Sequence, residues 1–549
     1  METTDTLRDL LADAGLSFDR IEQRSFPGED WLIVLLPADS LTAAQGLAGA
    51  FEKVINASVG QDASQVVVVF RPVPTEIPTG STADPTRGRL AGGDVDQLVQ
   101  LLEARSRTSD ALPSLKYMED PRAGLSAISA SRHQLIFGRR GVGKTALLLE
   151  AKADAERRGH ATTWVNAHVL RHLTAGAAAA SVILMLLESV VRQGGDTQSQ
   201  IFDRLRLLQG ELAVELSAED GGQEFVEQRL PELNTALRAV LRDGLIRAYL
   251  YLDDFYLVPM AVQPVLLDYL AGALRDCDGW MKIASIERLS RVYEQSTNMG
   301  LEIPHDATKV DLDVTLEDPG PTQRFLESVL INYVAAAGVG SLGSLAKPEA
   351  LARLVLASGG VPRDYLNLVA SSIVVARQTR ERAREIGRED VAVAAGRSAR
   401  RKKRDLEQDV DESNSAAILQ ALESLSTAVK QRGYVYFRVN RAERGSRAYE
   451  LMALLTDLRF VHLVQASLSD QHQSGVRYEA HLLDLSEYTD VRLKRGLHVL
   501  DLEDGRWILR QTGQARFKKA LTGTLFRDEL RQSPAIDLSS LDGFRTALE

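Results

Sequence analysis

Apolar and polar positions change their period several times along this chain, and each change marks an element. In LRDLLADAG the apolar residues recur at helical spacing, FDRIEQR is extended, and DWLIVLLP and QVVVVFRPV are short apolar runs. The helix-patterned LTAAQGLAGAFEKVI lies between those two runs. Residues 1–75 are therefore read as a small α/β unit. The segment PVPTEIPTGSTADPTRGR, Pro72 to Arg89, is rich in Pro, Gly and Thr and reads as a linker. A helical run, VDQLVQLLEAR, follows within residues 76–113, and SLKYMEDPRAGLSAI leads into the next unit.

Residues 114–300 alternate short apolar runs with helical patterns, the signature of a parallel α/β sheet. LIF enters a glycine-rich loop that leaves into the helix ALLLEAKADAE, and HATTWVNAHV is the next strand. A helical section over residues 170–242, broken at RQGGDTQ and SAEDGGQ, is read as an insertion between sheet strands, its apolar stripes being packing faces. AYLYLDDFYLV and WMKIASIERLS are further strands. KVDLDVTL is another, ending at EDPGP, and Leu- and Val-rich helices fill the rest of residues 301–395, a helical lid.

At 549 residues the chain exceeds a single core, and a length prior gives about three to four domains. The 44% hydrophobic and 26% charged fractions are those of an ordinary folded protein. The longest apolar candidates, AAAASVILMLLESVV and YLYLDDF, are too short or too charged for a membrane span. METTDTLRDLLADAG lacks the basic start and apolar core of an export signal, so the expected compartment is cytoplasmic. Cys277 is the sole cysteine, which rules out an intramolecular disulfide and a Cys-based zinc site. A net charge of -10 argues against a wholly basic nucleic-acid-binding surface but not against a local one.

The chemistry begins at FGRRGVGKTALL, Phe137 to Leu148, which satisfies G-x-x-x-x-G-K-[ST]. Gly138, Gly141 and Gly143 let successive amides turn inward around a β-phosphate, with Arg139, Arg140, Val142 and Ala146 completing the lining. Lys144 supplies a cation for the β- and γ-phosphates and Thr145 a hydroxyl for Mg²⁺, at the positive end of the following helix. Asp253 and Asp254 close the strand AYLYLDD at its carboxyl end, where open α/β sheets collect ligands. Asp253 is placed to hold Mg²⁺, and Asp254 to orient or deprotonate an attacking water. Ser285 ends the next strand, where it contacts the γ-phosphate or simply caps a helix start; Arg288 and Arg291 lie beyond it. In SGGVPRDYLNLV a cation, Arg363, stands in the first turn of a helix, a position the helix dipole disfavours unless an anion such as a nucleotide phosphate lies nearby.

Phosphate loop, LDD strand, Ser-ended strand, helical lid and GGVPRD together resemble the AAA+ ATPases. The likeness is closest to the branch of the origin-recognition and archaeal initiator proteins, with the signal-transducing STAND ATPases similar too. The resemblance covers roughly residues 116–393. It implies ATP and Mg²⁺ as ligands, Lys144 and Thr145 on phosphate and metal, and Asp253 and Asp254 on metal and water. It also implies Ser285 as the γ-phosphate sensor and Arg363 as the lid sensor. Asp254 stands where most of the family has Glu, a shorter carboxylate that implies slow hydrolysis, and Ser285 stands where the family usually has Asn. An arginine finger is not assigned, Arg288 and Arg291 both being candidates, and the family implies a nucleotide-dependent oligomer.

From Gly396 the composition shifts: GRSARRKKRDLEQDVDE puts six basic residues between Arg397 and Arg404 and then turns acidic, so residues 396–412 are read as a linker. That run is either a solvated face or a nucleic-acid phosphate contact. Residues 413–549 begin with the helix SAAILQALESLSTAVKQ, the strand YVYFRV, the helix SRAYELMALLTDLRF and a hairpin of FVHLVQAS and RYEAHLLDL around LSDQHQSGV. Those are the parts of a winged helix, with Arg447 to Leu458 as the groove-reading helix and Ser469 to Arg477 as the wing. Arg441, Arg444, Arg447, Arg459 and Arg477 are available for phosphates, but Glu443, Glu450, Asp457 and Asp470 lie among them, so DNA and protein both stay open as partners. Two functions follow: an ATP-dependent initiator-like switch acting on DNA, or a bacterial signalling or defence ATPase whose terminal domains bind proteins.

Overall fold

The computed structural model describes residues 2–26, 29–36, 40–58, 65–72, 88–105, 118, 124–194, 200–218, 221–243, 246–313, 315–409, 412–471, 473–489 and 496–546. Most of the expected linker between Pro72 and Arg89, the lead-in around residues 106–123 and the sequence breaks near 195–199 and 219–220 lie outside the described residues. The chain divides into two compact units, Met1–Thr86 and Arg87–Glu549.

The first unit contains α1 (Glu2–Asp13), β1 (Arg20–Phe26), β2 (Glu29–Leu36), α2 (Leu41–Ser58) and β3 (Gln65–Pro72). Its sheet runs β1-β2-β3, antiparallel then parallel. The parallel pair needs a crossover, which α2 supplies. Leu7 and Leu11 of α1, Phe51 and Ile55 of α2, and Leu32, Val34, Val66 and Val68 of the strands close one core.

The second unit opens with α3 (Gly93–Arg105) and α4 (Gly124–Ile128), followed by β4 (His133–Phe137), α5 (Lys144–Arg157) and β5 (Ala161–Asn166). The insertion folds as α6 (Ala175–Gly194), α7 (Gln200–Glu215) and α8 (Gln223–Asp243). After it come β6 (Ala248–Asp253), α9 (Gln263–Leu274), β7 (Gly279–Ser285), the short hairpin β8 (Tyr293–Glu294) and β9 (Met299–Gly300), and β10 (Ala307–Asp311). The main sheet is β10-β4-β7-β6-β5, parallel throughout. Its central strands β4, β7 and β6 are buried almost throughout because both faces are covered: α5 lies on one, against Ile136, Tyr249, Tyr251 and Ala284. The insertion and α9 lie on the other, against Leu135, Leu250, Leu252 and Ile283. As folded, α6 is long and apolar enough to cross a membrane by length and composition, which its sequence run did not suggest. Here Ala178, Val182, Ile183, Leu186 and Val190 are core residues.

The lid consists of α10 (Pro319–Ala336), α11 (Leu342–Leu345), α12 (Pro348–Ser358), α13 (Pro362–Thr379) and α14 (Arg388–Asp409). It starts later than residue 301, because β10 pairs with β4 and belongs to the sheet. The segment 396–412 also differs from the linker reading: its described part up to Asp409 continues α14 without a break. Arg, Lys and Ala are good helix formers, so the charge run continues the helix, with Arg397, Arg400, Arg401 and Arg404 exposed and Lys402 and Lys403 half-buried. Then follow α15 (Glu412–Gln431), β11 (Tyr436–Asn440), α16 (Arg447–Asp457), β12 (Val461–Ser469), β13 (Arg477–Leu483) and α17 (Ser486–Thr489). The last elements are β14 (His498–Glu503), β15 (Arg506–Gln511), β16 (Gln514–Leu521), α18 (Thr524–Gln532), β17 (Ala535–Ile536) and α19 (Asp542–Thr546). Strands β12, β13 and β11 are antiparallel neighbours, and β17 from the tail adds parallel to β11. A second sheet, β14-β15-β16, sits beside them. Lid and C-terminal elements share one hydrophobic core, from Leu326 and Val369 through Leu422 and Phe437 to Leu500 and Phe544.

Candidate nucleotide site

The carboxyl ends of four adjacent strands lie together. Phe137 of β4 pairs in register with Ser285 of β7, and Asp253 of β6 ends level with Asn166 of β5. The loop after Phe137 turns through Gly141 at φ 85° and Gly143 at φ 105°, left-handed conformations that side chains resist. Gly143 faces open space, whereas a Cβ on Gly141 would meet Arg363 Cβ at 2.8 Å. Immediately afterwards α5 begins at Lys144 with its unpaired amides and positive dipole end directed at the loop. Val142 is buried, anchoring the loop in the core beneath α5, and Ala146 follows in the helix's first turn.

Lys144, only 6% exposed, donates from Nζ to the Gly138 carbonyl at 2.7 Å and the Arg139 carbonyl at 3.1 Å. Burial lowers its pKa to about 8, against the opposing charges of Asp313, Asp254 and Asp253 and with Arg363 adding to the fall. The Arg139 amide and its Nε both donate to Asp313 Oδ1, at 2.8 and 3.2 Å. The Arg140 guanidinium lies 5.3 Å from the centre of the Tyr256 ring.

Thr145 Oγ1 donates to Asp253 Oδ2 at 2.8 Å, and the Asp254 amide donates to Asp253 Oδ1 at 3.0 Å. Asp253 is 2% exposed, and burial followed by the neighbouring Asp254 charge raises its pKa to about 6. Asp254 itself is half-buried and held at φ 52°, so the backbone turns sharply where the strand ends. Ser285 is fully buried with Oγ 2.5 Å from Ser290 Oγ. Both arginine-finger candidates are held within the chain: Arg288 by Asp457, with Nε at 2.8 Å, and Arg291 by an ion pair to Glu294.

The lid reaches the loop through α13. Left-handed Gly359 and Gly360 end α12, Val361 packs in the α5 core, and the Arg363 amide donates to the Gly141 carbonyl at 3.3 Å. The Arg363 side chain is exposed beside the loop. The expected loop, strand-end and lid residues are therefore brought together. Two contributors had escaped the sequence reading. Asp313 follows β10 and reaches the loop only because β10 pairs with β4; the alternation in KVDLD was its one signal. Arg459, grouped above with basic residues available for phosphates, donates from Nη2 to the Arg140 carbonyl at 2.6 Å and pairs with Asp364.

A glycine loop with left-handed turns at Gly141 and Gly143, a buried cation, a hydroxyl and one buried carboxylate fit a nucleotide triphosphate with Mg²⁺. Mg²⁺ is commonly held by one or two carboxylates together with phosphate oxygens. Among the described residues no cluster of three or more His, Cys, Asp or Glu offers an all-protein metal cage. Burial disfavours the Asp253 anion, a cost that a divalent cation beside it would relieve.

No family model and no curated protein matches the sequence. Among solved structures, a chain of Drosophila ORC bound to DNA is similar at 13% identity and TM-score 0.34, over 80% of this chain and 97% of that one. Cdc6p from Pyrobaculum aerophilum is similar at 13% and 0.29, over 74% and 95%. The Thermotoga maritima RuvB Holliday junction branch migration motor is similar at 13% and 0.29, over 74% and 99%. In the sheet β10-β4-β7-β6-β5 a strand separates the loop-bearing β4 from the acid-ended β6, and a helical lid closes on the loop: the chain has the fold of a P-loop NTPase of the AAA+ type.

Proposed function

We propose that this chain is an ATP-binding and ATP-hydrolysing AAA+-type switch that acts on DNA. The observation carrying the proposal is the joint approach of Thr145 to Asp253 and of the Arg363 amide to Gly141. These two contacts support a site shared by loop, strand end and lid. Mg²⁺, when bound, neutralises charge on the β- and γ-phosphate oxygens. Lys144 exchanges its loop carbonyls for phosphate oxygens, and Thr145 with Asp253 holds the metal. Asp254 orients the attacking water and takes its proton. Its side chain is one methylene shorter than Glu, which fits slow turnover. Ser285 and Arg363 report the γ-phosphate to sheet and lid, and assembly of several copies would free Arg288 or Arg291 to act in trans.

DNA would be contacted along α14, where Arg397, Arg400, Arg401 and Arg404 are exposed while Lys402 and Lys403 pair with Asp364 and Glu487. A further contact is the exposed Arg477 at the tip 469–477 of the hairpin that we read as a wing. The test is an ATPase assay of wild type, Lys144→Ala and Asp254→Asn with and without duplex DNA. Stimulation of wild type alone, with DNA retention falling steeply as salt rises, supports the reading. Salt-insensitive or absent binding contradicts it.

One observation favours a second reading, a signalling or defence ATPase whose terminal domains bind proteins. Arg441 and Arg444 are paired to buried Glu479, and Arg459 to Asp364, so these arginines are engaged internally. Protein capture that depends on nucleotide and fails in Lys144→Ala, without DNA retention, would select it.

A further inference from the structure

Lid and C-terminal elements share a continuous core. Two polar contacts between that body and the loop-bearing core lie on one short segment at the end of α16. Asp457 pairs with Arg288, just beyond Ser285, at 2.7 Å. Two residues later Arg459 reaches the Arg140 carbonyl at 2.6 Å and ion-pairs with Asp364, the neighbour of Arg363. Arg459 is 12% exposed and sits at φ 64°, a conformation disfavoured for arginine, which directs the side chain into the junction. Burial pushes the Asp364 carboxyl up, but Arg459, Lys402 and Arg363 outweigh it and hold it below the ordinary range. On the far side of the same turn, His462 lies against Gly359, where a Cβ would meet its ring at 2.2 Å, and bonds buried Asp484 at 3.0 Å. The segment Asp457–His462 thus touches the phosphate loop, the strand end beyond Ser285 and the start of the lid helix together.

We infer that Arg459 is a positioning residue of the nucleotide site: by gripping the Arg140 carbonyl and Asp364 it couples docking of the C-terminal body to occupancy of the phosphate loop. This rests on the nucleotide reading above and adds the element by which the site communicates. The coupling is reciprocal. If docking tightens nucleotide binding, nucleotide tightens docking by the same factor. Because Arg459 acts on the apex of the loop, its effect is equal for ATP and ADP, unlike that of a γ-phosphate sensor.

The test uses the full chain and fluorescent ATP and ADP analogues, with amide hydrogen exchange over residues 457–466. Arg459→Gly is the informative variant, because glycine accepts the left-handed backbone without penalty while the guanidinium is lost. It is expected to bind both nucleotides about tenfold more weakly. Nucleotide should slow exchange across 457–466 in wild type but not in this variant, and Arg459→Lys should restore part of the affinity. Should the glycine variant not fold, Arg459→Lys and Asp364→Asn read the same difference. Unchanged affinity together with an unchanged nucleotide effect on exchange would overturn the inference and leave the nucleotide site standing. Wild type binding no better than Lys144→Ala would remove both.

Discussion

Thr145 Oγ1 stands 2.8 Å from Asp253 Oδ2, joining the first turn of the loop helix to the end of a strand more than a hundred residues away in sequence. On the proposed reading, these are the two oxygen donors that would meet Mg²⁺. Asp253→Asn keeps the size of the side chain and removes its charge. It is expected to weaken ATP binding in the presence of Mg²⁺ by about 10–100-fold. In excess chelator the variant and wild type should bind alike. Fluorescent-nucleotide titrations in the two buffers check this, and an equal loss in both would argue that Asp253 only supports the fold.

Lys144 gives a pH signature. Its pKa is lowered to about 8 by burial, and a bound triphosphate raises it again. Below pH 8 the ammonium is charged both free and bound, and affinity is at its full value. Above pH 8 a proton must be taken up on binding, so affinity falls by up to tenfold per pH unit until the bound-state pKa is reached. Calorimetry at pH 8.5 in buffers of different ionisation heat should detect that uptake. Its absence would mean that Lys144 does not meet phosphate.

Gly141 joins loop geometry to lid position. Its φ of 85° opposes a side chain, and so does the Arg363 Cβ, which a Cβ at this position would approach to 2.8 Å. Gly141→Ala should cost about 1–3 kcal/mol of stability and push the start of α13 off the loop. Denaturant unfolding and nucleotide titration measure the two effects. Gly143→Ala meets no neighbouring atom, so its cost is backbone strain alone.

Glu479 makes the C-terminal unit acid-sensitive. Burial raises its pKa, but His481, Tyr449 and Arg444 outweigh this and hold it at about 2, below the ordinary 4.5. A depressed carboxyl contributes stability that is complete above the unfolded pKa and is lost as pH falls from 4.5 towards 2. Glu479→Gln should therefore destabilise by about 3 kcal/mol at pH 7 and by much less near pH 3. Equal losses at both pH values would refute the assignment.

What the sequence disclosed follows from the range of each signal. The loop is local: glycines, Lys144 and Thr145 are contiguous, and their flanking periodicities announce strand and helix. Asp253 and Asp254 were legible because a continuous apolar run of that length marks a buried strand, which they close at its carboxyl end. Asp313 was not, since it serves the loop only through pairing of β10 with β4 across more than 170 residues. The Arg397–Arg404 run was misread as a linker because charge density resembles a break, while helical spacing lets Lys402 and Lys403 turn inward beneath exposed arginines. Arg459 was read as one of several arginines available for nucleic-acid phosphates. Only the left-handed turn at that residue, invisible in composition, returns it to the nucleotide site.

The central claim is that one triphosphate is held by loop, acidic strand end and lid arginine together. The most direct measurement is the affinity of Arg363→Ala for ATP and for ADP, each with Mg²⁺. ATP binding should weaken about tenfold or more while ADP binding stays within about twofold, because the lost guanidinium bond is to the γ-phosphate. Equal affinities of variant and wild type for ATP, or equal losses for both nucleotides, would contradict the account.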